Sequence, residues 1–283
     1  MERIKAAVEL AKADRARLSG SAPPVRPPGP QVTRAPARAN QESAAGKSRV
    51  HLDPAHLKSM RIVAHDPDDP RGRVFEMLRT QVIRKMTDAH YQTIGISSPT
   101  SGCGKTFTAL NLALSIALLP GRSVTLVDLD LRKPHVADCL GLKPGVGMER
   151  LLRGEARVDD IIVEPDIGMG RLSVVPTYRA SRNPAVQMVS HELSDMVQQL
   201  RSKDPGGLIM FDLPPVLVAD DVISFSPQLD CLLLVAAAGQ TTAADISNSE
   251  RLLGPVEGSQ GVPEILGIVL NKAEQSGEPS YYG

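Results

Sequence analysis

The hydrophobic positions fall into short unbroken runs separated by longer amphipathic stretches. Residues 93–96, 123–126, 172–175, 208–211, 231–236 and 265–270 are brief and apolar, without period-2 alternation, the pattern of strands buried on both faces. Between them, steps of three and four predict helices. One spans 74–86 with a stripe of Val74, Leu78, Val82 and Ile83, and another spans 107–119 through Leu110, Leu114, Ala117 and Leu118. A third spans 184–200, with Val186, Val189, Leu193, Met196, Val197 and Leu200 as its core stripe, and a fourth spans 243–253. Asn183 before Pro184 reads as an N-cap and first helical residue, and Asp220 and Asp221 as a capped helix start. Residues 136–160 predict short helices around glycine turns. The alternation as a whole predicts an α/β fold, a mostly parallel sheet with helices on both faces.

The ends of the chain read differently. Residues 1–20 place Ile4, Val8 and Ala11 on one face of a short amphipathic helix, a docking helix or a frayed tail. Residues 21–49, rich in Pro, Ala, Arg and Gly, predict a disordered basic linker. The folded domain is expected over 50–272. Residues 273–283 then form a polar flexible tail bearing two of the chain's four tyrosines, Tyr281 and Tyr282.

Composition changes this picture little. The formal net charge is zero, with ten Lys/Arg against four Asp/Glu in the first fifty residues, and no nucleic-acid partner is expected. Cys103, Cys139 and Cys231 have no metal-ligand spacing, which points to a reducing cytoplasm. Neither a signal peptide nor a run long enough to span a membrane is evident, so a membrane role would need a partner.

The candidate chemistry lies where the strands end. After the first strand the chain reads SSPTSGCGKT. Gly102 and Gly104 let backbone N–H groups converge on an anion, Lys105 adds a cation where β- and γ-phosphates would lie, and Thr106 opens a helix where its hydroxyl can bind Mg²⁺. Pro99 replaces the first glycine of the strict phosphate-loop pattern, but the strand, loop and helix context is the one the chemistry needs. The nucleotide-binding set is Ser101, Gly102, Cys103, Gly104, Lys105, Thr106 and Phe107. The second strand ends in VDLDLRKP, where Asp128 and Asp130 share a side of an extended segment, able to hold Mg²⁺ through water or to take a proton from an attacking hydroxyl. Arg132 beside them could reach phosphate or a neighbouring subunit. A later strand ends at Asp212, where a metal-directed carboxylate belongs. The last strand ends at Asn271, which could read an adenine edge or simply turn the chain.

Taken together, SSPTSGCGKT, VDLDLRKP, FDLPP and the tyrosine-bearing tail resemble the bacterial tyrosine kinases (BY-kinases) of capsule and exopolysaccharide export, over about residues 70–283. The resemblance implies a P-loop NTPase fold and an ATP-dependent protein-tyrosine autokinase. Lys105 and Thr106 would bind the ATP phosphates and Mg²⁺, Asp128 and Asp212 would serve the metal, and Asp128 and Asp130 would be catalytic, with Asp128 favoured to take the tyrosine proton. Tyr281 and Tyr282 would be phosphorylated in trans within a ring of copies. A separate membrane polysaccharide co-polymerase would activate the chain and recruit it to the inner face of the membrane. Two departures stand out. The family's ring-contact helix carries Glu, Arg and Arg at three-residue steps, and here Arg73, Glu76 and Arg79 precede Thr80, with the first two charges exchanged. The tyrosine cluster is also short. Alternatives are a partitioning-type ATPase, which would carry a signature lysine where this chain has Thr100, and a nucleotide-binding scaffold without kinase activity.

Overall fold

The computed structural model describes residues 49–168, 170–254 and 262–273. The expected N-terminal helix, the linker up to residue 48, and Tyr281 and Tyr282 lie outside them.

The described chain opens with β1 (Val50–His51), α1 (Pro54–Ser59) and α2 (Gly72–Asp88). The first half of the core is β2 (Thr93–Ser97), α3 (Lys105–Ala117) and β3 (Val124–Asp128). Three short helices follow, α4 (Val136–Leu140), α5 (Met148–Leu151) and α6 (Val158–Ile161), and then β4 (Pro165–Asp166) and β5 (Leu172–Val175). The chain continues through α7 (Pro184–Met188), α8 (His191–Lys203), β6 (Leu208–Asp212), α9 (Asp221–Phe225), β7 (Cys231–Ala237), α10 (Ala243–Leu253) and β8 (Glu264–Asn271).

Six strands form one sheet in the order β5-β3-β6-β2-β7-β8, every pair parallel. The expected parallel sheet is therefore present, and the unbroken apolar runs have their reason: β2 and β7 are buried at every position. One face packs against α1, α2, α3 and α4, the other against α5 to α10. At the strand ends, Asp212 of β6 stands level with Ile96 of β2 on one side and Asp128 of β3 on the other. All three chain segments carrying candidate chemistry thus leave the sheet side by side, at its C-terminal edge.

Several expectations need correction. The helix over 184–200 is two helices, because Ser190 adopts an extended conformation and its hydroxyl accepts Leu193 N–H, starting α8 afresh. The inward stripe begins only there: Leu193, Met196, Val197 and Leu200 are buried, whereas Val186 and Val189 are 69% and 63% exposed. Asn183 precedes α7 without a side-chain capping bond, and so does Asp220 before α9. In α2, Val74 faces outward and Phe75 inward, because Phe75 stacks edge-on against Phe107 with ring centroids 5.5 Å apart.

The segment before α2 is fastened to the phosphate-loop helix. Leu52, Leu57, Ile62 and Val63 enter the core. Asn111 of α3, fully buried, accepts Val63 N–H and Ala64 N–H on Oδ1 at 2.8 and 3.0 Å and donates to Arg61 and Phe107 carbonyls. Polar burial at such a position requires this full set of partners.

Candidate functional site

Beyond β2 the chain turns through residues 98–104 into α3. Gly102 and Gly104 have φ of 82° and 93°, the left-handed region that glycine occupies without strain. At Gly104 the space is also closed: a Cβ would come within 2.1 Å of Asn271 Nδ2. That amide donates to Cys103 O at 2.8 Å, so the end of β8 braces the loop from behind. No side chain caps the N-terminus of α3, whose free N–H groups and dipole are left for an anion.

Lys105 and Thr106 meet the acids directly. Thr106 Oγ1 donates to Asp212 Oδ2 at 2.6 Å, and Lys105 Nζ lies 2.7 Å from Asp130 Oδ2 and 3.4 Å from Asp212 Oδ1. Burial alone would lower the Lys105 pKa, but Asp212 and Asp130 hold it above the ordinary value. Burial pushes the Asp212 carboxyl up despite Lys105 and Thr106. Asp128 is also raised, by burial and then by the neighbouring Asp212. A hydroxyl beside a carboxylate is the hard-oxygen donor set that Mg²⁺ takes when phosphates and waters complete its shell. Among the described residues no cluster of three or more His, Cys, Asp or Glu is placed to hold a metal ion.

The two acids at the end of β3 differ in surroundings. Asp128 accepts Asp130 N–H on Oδ1 and the N–H groups of His135 and Val136 on Oδ2, and is fully buried. Asp130, two residues on, lines a cavity of about 380 Å³ together with Ser101, Gly102, Gly104, Lys105, Thr106, Phe107 and Arg132. Of the expected nucleotide-binding set, Cys103 does not line it: its Sγ is buried against Thr100 O at 3.2 Å and Thr241 Oγ1 at 3.5 Å. Asn271 is likewise engaged behind the loop. Arg132 is held by a bidentate pair with Asp221, at 2.6 and 3.1 Å. Asp221 is therefore a buried ion-pair partner and not a cap.

Sequence reasoning missed Lys133, His135, Pro214, Pro215 and Val218, which complete the cavity wall. Their signal was adjacency, since each lies within a few residues of Asp130 or Asp212. On α2, Arg79 is spent within the chain, donating to Ser115 O at 2.9 Å, while Arg73 and Glu76 are exposed. Among the described residues no helix is long and apolar enough to cross a membrane.

Comparison with known proteins agrees with this geometry. The family model described as the CobQ/CobB/MinD/ParA nucleotide binding domain matches residues 94–281. EpsB of Ralstonia solanacearum is 27% identical over 217 residues, 77% of this chain, and the chain spans only 28% of that protein's length. Tyrosine-protein kinase YwqD of Bacillus subtilis (strain 168) is 25% identical over 224 residues, 78% of this chain and 90% of YwqD. Among solved structures, the kinase domain of Escherichia coli tyrosine kinase ETK superposes with a TM-score of 0.66 at 26% identity, covering 86% of this chain and 89% of that one. The resemblance read from the motifs is borne out.

Proposed function

The chain belongs to the CobQ/CobB/MinD/ParA nucleotide-binding family, and from that premise we propose that it is an ATP-dependent protein-tyrosine kinase. It phosphorylates tail tyrosines Tyr281 and Tyr282 between copies and regulates polysaccharide chain length or export beside a membrane co-polymerase. The observation that carries the reading is the cavity at the sheet's C-terminal edge lined by Lys105, Thr106 and Asp130, with Asp212 buried behind it in contact with Lys105 and Thr106. Likeness to kinases separates it from other members of the family.

Bound Mg-ATP supplies the phosphoryl group. The free N–H groups at the start of α3, with Gly102 and Gly104, cradle its phosphates, and Lys105 offsets their charge. Thr106 and Asp212 would hold its Mg²⁺. Asp130, the β3 acid on the cavity wall, takes the proton of the acceptor hydroxyl. Asp128 shapes the turn behind it, a change from the role the resemblance favoured, because its oxygens already receive three backbone N–H groups.

The test is incubation of the purified chain with Mg-ATP, with and without the cytoplasmic segment of a candidate co-polymerase, followed by mass spectrometry of the 273–283 peptide. Phosphate on Tyr281 or Tyr282 that is absent from Lys105→Met supports the kinase. ATP hydrolysis with unmodified tyrosines would replace it with a partitioning-type ATPase.

A further inference from the structure

The cavity that holds the phosphate machinery has a second, chemically different wall. Pro214, Pro215 and Val218 form an apolar side, and Val218 is 57% exposed. Arg132 and Lys133 supply cations on the β3 side. Of the cavity's three Lys and Arg side chains two have a partner: Lys105 has Asp130 and Asp212, and Arg132 has Asp221. Lys133 differs. It is exposed and makes no ion pair among the described residues; its only polar bonds there run from the backbone N–H to Asp130. Arg132 also uses only Nε and Nη2 in its pair with Asp221, leaving Nη1 outside that pair. An apolar surface beside an unpaired cation matches a ligand that is aromatic and acidic at once.

The chain itself carries such a ligand. Residues 273–283 read AEQSGEPSYYG, with Glu274 and Glu278, no Lys or Arg, and two adjacent tyrosines. We propose that the Lys133 rim and the Pro214–Pro215–Val218 wall form an acceptor subsite that selects acidic tyrosine peptides, of which the tail segment of a second copy is one. Glutamates N-terminal to the tyrosine meet Lys133 and the outer edge of Arg132. The ring of the accepting tyrosine packs on the proline wall, which turns its hydroxyl toward Asp130. This rests on the kinase reading, and deepens it by naming the class of peptide accepted. It also gives the Arg132–Asp221 pair a purpose, since a bidentate carboxylate fixes the guanidinium plane at the mouth of the site.

The test uses the full chain carrying Tyr281→Phe, Tyr282→Phe, Glu274→Lys and Glu278→Lys, so that its own tail supplies neither acceptor nor acidic competitor. A labelled peptide AEQSGEPSYYG and its counterpart with both Glu→Lys are titrated in with Mg-ADP and followed by anisotropy; with Mg-ATP, phosphotyrosine on each is measured. The acidic peptide is expected to bind about five- to tenfold more tightly at low salt, as for two partly exposed charge pairs. That preference should fade at about 0.5 M salt, where screening acts within a few ångströms. Lys133→Glu should reverse it and Lys133→Arg should keep it. Equal binding of the two peptides, no binding of either, or a preference indifferent to Lys133→Glu would overturn the subsite. A charge-dependent preference without phosphotyrosine would keep the subsite and remove the kinase reading, whereas equal phosphorylation of both peptides would do the reverse.

Discussion

Lys105 Nζ sits 2.7 Å from Asp130 Oδ2 and 3.4 Å from Asp212 Oδ1, so the amine suited to phosphate is already shared between two acids. Phosphate oxygens would compete for that amine, and each contact they gained would release a carboxylate oxygen. Such an exchange would couple phosphate entry to the freeing of Asp130, the acid that faces the cavity.

The two β3 acids should therefore separate experimentally. Asp130→Asn is expected to lower turnover on the order of a hundredfold or more while nucleotide still binds, the loss typical of a removed general base. Asp128→Asn is expected to act first on stability, because an amide nitrogen would face one of the backbone N–H groups that now bond to carboxylate oxygens. Single-turnover phosphotransfer, nucleotide affinity and melting temperature on both variants decide the matter. Loss of turnover in Asp128→Asn with an unchanged melting temperature would restore Asp128 as the base.

Lys105→Met should abolish phosphotransfer and also unbalance the acids around it. Removing one partner of a buried pair typically costs about 3–5 kcal/mol. Here the loss depends on pH. Burial raises the folded-state pKa of both Asp212 and Asp128, so the folded state binds their protons more readily than the unfolded chain and tolerates the missing cation better in acid. The stability deficit of Lys105→Met relative to wild type should shrink as pH falls from about 8 to about 5. Denaturant midpoints at both ends measure it, and a constant deficit would contradict the electrostatic account.

Gly104 and Asn271 make a paired prediction. Gly104→Ala places a Cβ where Asn271 Nδ2 lies, at 2.1 Å, on a backbone with φ of 93°. Asn271→Ala removes the first obstacle but not the second, and left-handed strain on a non-glycine residue costs about 1–3 kcal/mol. Nucleotide affinity should thus collapse in Gly104→Ala and recover only in part in the double variant. Asn271→Ala alone should weaken affinity roughly fivefold, the worth of one hydrogen bond to the loop carbonyl. Full recovery in the double variant would mean that the clash alone matters.

The sequence made the sheet legible because strands buried on both faces leave unbroken apolar runs, and every one of the six core strands was expected within two residues at either end. Lys105, Thr106 and Asp212 were legible for a related reason: each sits where a core strand ends or the next helix starts, a position that fixes its neighbours. Other features depended on phase or on distant partners. Nothing local shows that Ser190 restarts a helix, since serine serves equally well inside one, and the outward turn of Val74 is decided by Phe107, thirty-three residues away. Arg132 and Asp221 are eighty-nine residues apart, so their pairing appears only when β3 and β6 lie side by side. The same holds for Asn271, whose bond to Cys103 O crosses 168 residues.

A last prediction concerns stability away from the site. Asp230, just before β7, accepts Gln92 N–H and Thr93 N–H on Oδ2 at 2.8 and 2.7 Å, and Arg201 donates to Oδ1 at 3.0 Å. Burial by itself would raise this carboxyl, but the two N–H groups and Arg201 outweigh it and hold the pKa below the ordinary carboxylate value. A depressed folded-state pKa contributes stability that is present above the unfolded value and lost as pH falls through the folded one. Asp230→Asn should therefore cost about 1–3 kcal/mol near neutral pH, as the start of β2 loses charge-assisted partners. The gap between variant and wild type should narrow as the pH drops below about 4, where the wild-type carboxyl also loses its charge. Urea unfolding at neutral and acid pH reads both numbers. A gap that stays constant would mean that Asp230 acts through its shape and neutral hydrogen bonds, with its charge contributing nothing to the tie between β2 and β7.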